Sequence, residues 1–386
     1  MKFSESFIFT QRQDPKIAEC KSLKLLLKGN YLAMISSGIY SYLPLGFRVL
    51  SKINQIIRKH MDSSGAQELL MSALQPMEIW QKTGRDKDLA EVMFKFKDRK
   101  KRELCLGPTH EEEITEIVRR SVFSYKQLPF ILYQIQAKFR DEPRMRFGLM
   151  RSCEFIMKDA YSFDEDEKGL DKNYQKMLSA YKKIFKDCGL NFIITEADSG
   201  AMGGSVSHEF MVPSDIGEDS LDGKRMIELG HIFKLGTKYS AAQEALFLDR
   251  NGKRRPLVMG CYGIGVSRIL SAIAEISSDQ KGIIWPKKIS PFDLTLVVLD
   301  DKLHKEAFAL EASLEEEGFS LLVDDRKVPA GVKFNDSGLI GNPYILVMGK
   351  NYAEDKKLDL EDRKTGKSVS LTKDQVVKFL KKEYDR

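Results

Sequence analysis

The sequence predicts a larger α+β domain built on an antiparallel sheet, followed by a small α/β domain. Three observations lead there. A long hairpin of alternating residues occupies the middle of the chain, an amphipathic helix follows it, and strand–helix alternation takes over late in the sequence. Between these regions lies DQKGIIWPKKISPF (residues 279–292), whose glycine, two prolines and basic pair break both periodicities. The expected domains are therefore 1–285 and 286–386.

Each element has a local reason. Val49, Leu50, Ile53, Ile56 and Ile57 recur at helical spacing, and the run stops at Gly65. Tyr133, Ile135, Ala137 and Phe139 alternate with Gln134, Gln136, Lys138 and Arg140, the period of a strand with one apolar and one polar face. Pro143 and Gly148 mark a loop, and a second strand is expected from Met150 to Ala160. Leu170, Tyr174, Met177, Leu178, Tyr181, Ile184 and Phe185 form one helical face that ends at Gly189. Strands pairing antiparallel with helices on one side make an α+β layer. Beyond the break, strands at 294–299, 319–323 and 344–348 alternate with helices at 302–317 and 332–340. Thr372 and Gln375 form a capping box for a last helix.

Bulk properties narrow the function. The 386 residues exceed one ordinary core. No apolar run is long enough for a bilayer, and residues 1–10 lack the features of a secretory signal. Five scattered cysteines, an odd number without a CxxC pair, read as free thiols in a reducing compartment, with no structural zinc. The expected location is cytoplasmic. Sixteen basic and 19 acidic residues from Pro291 onward leave that part at −3 and the remainder at +9, a basic excess that suits a polyanion.

Four segments carry candidate chemistry. LGPTHEEE (106–113) is a turn followed by an acidic helix start, which alone is the ordinary signature of capping. Arg140 and Glu142 leave the first hairpin strand, and Arg151 and Phe155 stand four apart on its return. Arginine forks bind phosphate and an aromatic ring stacks on a base; an isolated hairpin with these charges is more often a solvated, salt-bridged one. GCYGIGVSR (260–268) follows a strand and opens a helix. Arg268 stands where a dinucleotide fingerprint needs its third glycine, and no Gly-Lys-Ser/Thr follows, so neither a nicotinamide fold nor a P-loop fits. What remains is a glycine-floored pocket with an arginine one turn into a helix. ELGHIFKLGT (228–237) contains His231, a residue type that in a strand is ordinarily structural.

Taken together, these residues resemble a known family. Phe139-Arg140-x-Glu142, then Gly263-x-Gly265-x-x-Arg268, are similar to motifs 2 and 3 of the class II aminoacyl-tRNA synthetases. Thr109-x-Glu111, MRSCEFIMKDAYSF, GHIF (230–233) and GCYGIGVSRIL resemble the bacterial type of prolyl-tRNA synthetase, and 38–76 resembles its motif 1 region. VDDRKVPAGVKFNDSGLIGNPYILVMGK resembles the anticodon-binding domain of that family. The match spans nearly the whole chain.

The resemblance implies a class II catalytic domain at 1–285 and an anticodon-binding domain at 286–386. It implies activation of L-proline with ATP and Mg²⁺, then transfer to tRNA(Pro) by a homodimer. Arg140 and Arg268 would be catalytic and would bind ATP together with Glu142, Arg151, Phe155, Glu228 and His231. Thr109, Glu111, Arg140, Phe233 and Gly263 would bind proline. Asp325, Arg326, Lys333 and Asp336 would contact the anticodon.

Three departures stand out. Met211–Asp219 runs almost straight into Leu221, leaving no room for the editing domain of the long bacterial form, so a separate trans-editing deacylase is an expected partner. Ser72 replaces the usual proline of motif 1, and Cys153 replaces the arginine usual before Glu154. Rival readings are a non-catalytic paralogue, which would usually lack the phosphate-binding arginines, and another class II type such as the threonyl enzyme, whose pocket uses zinc.

Overall fold

The computed structural model describes residues 1–198 and 200–384, so the last two positions of the expected second domain lie outside it. The chain divides into two compact units, one made of Ser36–Ile39 and Ile53–Leu270, the other of Met1–Ile35, Tyr40–Lys52 and Ser271–Arg386.

The first unit is built on an eight-stranded sheet. Its strands are β1 (Gln67–Glu68), β2 (Phe130–Phe139), β3 (Glu154–Asp164), β4 (Ile193–Glu196), β5 (Val206–Pro213), β6 (Asp219–Leu221), β7 (Lys224–Gly236) and β8 (Val258–Gly265). They run in the order β1-β2-β3-β8-β7-β5-β4, with β6 added on β7. All pairs are antiparallel except β1 with β2. The register places Gln134, Asp159, Gly263, His231 and Glu209 directly across from one another in one row. Directly opposed residues share a face, so this row and its neighbours two residues away line one side of the sheet.

The other side is covered by the long helix α4 (Glu167–Asp187). Its Tyr174, Tyr181 and Phe185 pack on Tyr262 and Phe210. This burial follows the apolar stripe seen in the sequence, and Asp166 caps the helix by accepting from the Gly169 N–H at 2.8 Å. Three further helices of this fold matter below: α1 (Pro44–Ser63), α2 (Arg85–Asp88) and α3 (Glu111–Arg119).

Two features of the hairpin differ from expectation. The second strand starts at Glu154, after a tight turn at Gly148–Met150, so Arg151 precedes it and does not share a strand face with Phe155. Lys138 and Gln134, expected on a solvated polar face, are both fully buried. Lys138 forms an ion pair with Asp159 at 2.7 Å, and Gln134 donates to the same carboxylate at 2.9 Å. The polar face of this strand is turned to the inside because its partners are charged, which alternation cannot reveal.

In the second unit, β9 (Leu294–Val298), β10 (Leu321–Asp324), β11 (Tyr344–Met348), β12 (Leu358–Asp362) and β13 (Ser368–Leu371) form a mixed sheet in the order β10-β9-β11-β12-β13. Helices α6 (His304–Glu316), α7 (Ala330–Ile340) and α8 (Lys373–Tyr384) alternate with them, α5 (Val266–Ile276) being the helix that follows β8. Residues 279–292 are irregular, as their Gly and Pro require, but are not an exposed linker. Ile283, Trp285, Ile289 and Phe292 are buried, and the Trp285 indole donates to Tyr31 Oη at 2.8 Å. The start of the chain also belongs to this unit. The Phe3 N–H donates to Val323 O at 2.8 Å and the Val323 N–H to Met1 O at 2.9 Å, a short extension of the β10 edge.

Candidate active site

All eleven residues expected to bind ATP or proline line a single cavity of about 930 Å³, mouth included, on the open face of the large sheet. The register explains the convergence. Phe155, Met157 and Asp159 on β3, Cys261, Gly263 and Gly265 on β8, and His231 and Phe233 on β7 stand on the same face. At Gly263 the backbone itself borders the cavity, and a Cβ there would make only ordinary contacts, the nearest at 3.8 Å.

One part of the wall is cationic and aromatic. The Arg140 guanidinium lies 5.1 Å from the centre of the Phe155 ring. Burial, with the like charge of Arg268, lowers its pKa. Arg268, in the first turn of α5, donates to Glu228 O at 2.8 Å and to Glu228 Oε2 at 3.2 Å. Arg151 donates to Glu142 Oε2 at 2.7 Å and to Glu218 Oε2 at 3.3 Å. Two arginines aimed at one cavity neutralise phosphate, and an aromatic ring offers a stacking surface.

A second part is acidic. Glu209, Glu228 and His231 bring three donor atoms within 4.8 Å of one another. Burial and then Glu228 push the Glu209 carboxyl up to about 7. Burial pushes His231 down to about 4, so its ring is neutral; it stacks on Phe233 with centroids 3.8 Å apart. Glu209 escaped the sequence reading, and only strand register with His231 reveals it.

The third part is a small polar socket. Glu111, at the start of α3, accepts from Thr109 Oγ1 at 2.7 Å and from the Cys261 thiol at 3.1 Å. Burial acts to raise its pKa, but Arg85, Thr109 and Cys261 outweigh it and hold the carboxyl below its ordinary value. Next to it, Lys138 Nζ donates to His110 Nδ1 at 2.8 Å, and His110 Nε2 contacts Ser72 O at 3.0 Å, so the ring carries its proton on Nε2. Burial and Lys138 push His110 down to about 4. Asp159, Lys138 and His110 form a supporting network that the sequence reading missed, because its members stand far apart along the chain.

Of the two departures near this site, Ser72 has a structural consequence, and nothing in the structure explains Cys153. The Ser72 N–H donates to Glu113 Oε1 at 2.8 Å, a bond that a proline could not make. The Cys153 N–H donates to Gly38 O at 2.9 Å. Gly38 has φ +70° and a Cβ there would meet Met145 Sδ at 2.2 Å, so the tip at Ser36–Ile39 sits tightly on the hairpin loop.

In the second unit Asp325, Arg326, Lys333 and Asp336 come together, but in bonds with one another and with their surroundings. Arg326 forks onto Asp324 at 2.8 and 2.7 Å, reaches Asp336 at 2.8 Å and lies 3.6 Å above the Phe3 ring. Lys333 is buried and donates to Val298 O and Asp324 O. Asp325 accepts from Ser4, and Asp336 from Thr10. Of the four, Asp336 lines a groove with Arg12, Lys28 and Phe334.

Comparison with known proteins agrees with both units. Residues 94–277 match the tRNA synthetase class II core domain (G, H, P, S and T), and 293–383 match an anticodon binding domain. The proline–tRNA ligase of Caldicellulosiruptor saccharolyticus is 35% identical, the alignment covering 98% of each chain. That of Aquifex aeolicus is 34% identical over 100% of this chain and 99% of its own. These alignments run over 560 and 567 positions, so the relatives hold segments without a counterpart among these 386 residues. Prolyl-tRNA synthetase from Cryptosporidium parvum, solved with L-proline and AMP, superposes with a TM-score of 0.84 over 94% of this chain and 74% of its own, at 16% identity, a likeness of fold. The core and anticodon-binding matches, with identity above 30% along the whole chain, show that it belongs to the prolyl-tRNA synthetases, the proline–tRNA ligase family of class II aminoacyl-tRNA synthetases.

Proposed function

We propose that the cavity on the large sheet activates L-proline with ATP, giving prolyl-adenylate and pyrophosphate, and that proline then passes to the 3′-end of tRNA(Pro). The observation that carries this is one cavity lined both by Arg140, Phe155 and Arg268 and by the Thr109–Glu111 socket. A secondary ammonium suits the socket, whose carboxylate is ionised and already aimed by two donors. Adenine suits Phe155, with Glu142 near its amino group, and Arg140, Arg151 and Arg268 suit the phosphates. Phe233 and Gly263 border the proline ring, and Glu228 and His231 the ATP side.

The chemistry needs alignment and charge more than proton transfer. The proline carboxylate oxygen forms a bond to the α-phosphorus while the bond to the pyrophosphate oxygen breaks. Arginines already in place stabilise the charge that develops on the phosphoryl oxygens. Mg²⁺ enters with ATP, and bound there it neutralises phosphate charge. Glu209 and Glu228 would hold it, since hard carboxylate oxygens beside phosphate are the donors it takes. Amino-acid-dependent exchange of pyrophosphate into ATP tests the reading. Strong exchange with proline and weaker exchange with alanine or cysteine is expected; no exchange with any amino acid would overturn it in favour of a non-catalytic paralogue.

Arg151 gives a sharper test. Glu218 competes with phosphate for its guanidinium, so Glu218→Gln lowers the KM for ATP about twofold to fivefold, the worth of a half-exposed ion pair. A raised KM would remove Arg151 from the phosphate site.

The same reading extends to fidelity. Residues 214–218 are all that separate β5 from β6, where the long bacterial form carries its editing domain. A pocket that fits proline rejects the smaller alanine by only about 1–3 kcal/mol. The enzyme thus forms Ala-tRNA(Pro) and leaves it intact, a separate deacylase clearing it in trans. Purified protein added to Ala-tRNA(Pro) gives hydrolysis at the buffer rate; faster release of alanine would contradict this.

We further propose the division 1–285 catalytic and 286–386 anticodon-binding, with Asp325, Arg326, Lys333 and Asp336 at the anticodon side; the matches at 94–277 and 293–383 support it, although residues 1–35, 40–52 and 271–285 belong to the second compact unit. Leu70 and Leu74 in the motif 1 region are exposed, which supports a homodimer through that surface. Five free cysteines support a cytoplasmic location, and no helix among the described residues is long and apolar enough to cross a membrane.

A further inference from the structure

Behind the amino-acid socket lies an arginine that no motif points to. Arg85, on the single-turn helix α2, is 1% exposed and does not line the cavity. Its Nη1 reaches Glu111 Oε2 at 3.2 Å and both oxygens of Glu112 at 3.0 Å. Nη2 contacts Met202 Sδ at 3.2 Å. The guanidinium lies 5.4 Å from the Trp80 ring and 5.2 Å from the Tyr239 ring. Trp80 is itself fixed by its indole bond to Gln75 at 2.9 Å, and Glu112 by Thr83 at 2.9 Å.

The charge count is the telling part. Two buried carboxylates share one buried guanidinium, and among the described residues neither has another cation as an ion-pair partner. Burial pushes the Glu112 carboxyl up to about 7, so Arg85 is chiefly the counter-charge of Glu111, whose carboxyl it helps to hold below its ordinary value. Nη1 of Arg85 alone reaches both side chains, Glu112, which does not line the cavity, at 3.0 Å and Glu111, which does, at 3.2 Å. The carboxylate that a ligand meets is thereby held from behind by a buried cation.

We infer that Arg85 is a positioning residue for amino-acid recognition. It holds Glu111 from behind with its carboxylate turned to the cavity, and so favours a substrate whose ring nitrogen is a cation over a neutral ring of the same shape. This rests on the reading that Glu111 receives the imino group of proline.

The test compares Arg85→Met, Arg85→Lys and Glu111→Gln in proline-dependent pyrophosphate exchange. Tetrahydrofuroic acid, in which an ether oxygen replaces the ring nitrogen, serves as a neutral competitor. Arg85→Met raises the KM for proline about tenfold or more, the worth of a charge-assisted hydrogen bond, while the KM for ATP and inhibition by tetrahydrofuroic acid stay within about threefold. Arg85→Lys, which keeps the charge without the planar guanidinium, falls between, and carries the test alone if the methionine variant does not fold. An unchanged KM for proline would overturn the inference. So would an equal loss of ATP and of the neutral competitor, because that marks a merely structural arginine. If Glu111→Gln leaves the KM for proline unchanged, the assignment of Glu111 itself fails, whatever Arg85 does.

Discussion

Arg140→Ala lowers kcat/KM for proline-dependent pyrophosphate exchange by about a thousandfold, the upper range for one preorganised donor at a developing charge. Its guanidinium stands at the end of a strand whose neighbours fix it, between Phe155 and the Pro108 carbonyl. Water filling the space would cost reorganisation in every turnover. Arg140→Lys recovers little, because a point charge lacks the planar fork that meets two oxygens at once. Steady-state exchange kinetics at varied ATP and proline check both variants. A loss smaller than about tenfold would mean that another group stabilises the transferring phosphoryl.

Asp159→Ala has its largest effect on stability, a loss of about 3–5 kcal/mol, because it leaves a buried cation without its partner. Asp159 takes the Lys138 ammonium at 2.7 Å and accepts from Gln134 and Tyr161 at 2.9 and 2.8 Å. Burial acts to raise the Asp159 carboxyl, but Lys138 and His110 outweigh it and hold it below its ordinary value. A carboxyl with a depressed folded value stabilises above the unfolded pKa, and the contribution fades as pH falls through the folded one. The gap in urea midpoint between wild type and variant is therefore full at neutral pH and narrows in acid. A gap that widened in acid would show that Asp159 is not the group holding Lys138. Lys138→Met in the Asp159→Ala background regains much of the loss, since two apolar groups can replace a buried pair.

The parts of the site legible in the sequence were those written in short runs. Arg140 and Glu142, Gly263 and Arg268, and Thr109 and Glu111 each lie within a few residues, so local spacing fixes their geometry. Arg85 with Glu112, and Glu209 with His231, are joined by tertiary packing or by strand register, and no window along the chain contains their relation. The hairpin shows the same limit. Alternation correctly marked a strand over 133–139, but the polar side faces a charged interior and not water. In the second unit the strand–helix order was readable from apolar runs. Arg326 and Lys333 were expected at the anticodon side; their bonds to carboxylates and carbonyls of their own unit are tertiary relations that no run of sequence shows.

The pairing of residues 1–4 with the edge of β10 also bears on how the chain is made. Met1 and Phe3 bond to Val323, and Ser4 to Asp325, so this segment must wait for partners made more than three hundred residues after it. Ile53–Leu270, in contrast, has its whole sheet in hand before those partners are synthesised. A growing chain can thus close the nucleotide-binding sheet first while its leading end stays unpaired, and long-range closure comes last. Pulse-labelled nascent chains arrested near residue 300 should resist protease across the large sheet and be cut freely near Phe7 and Phe9.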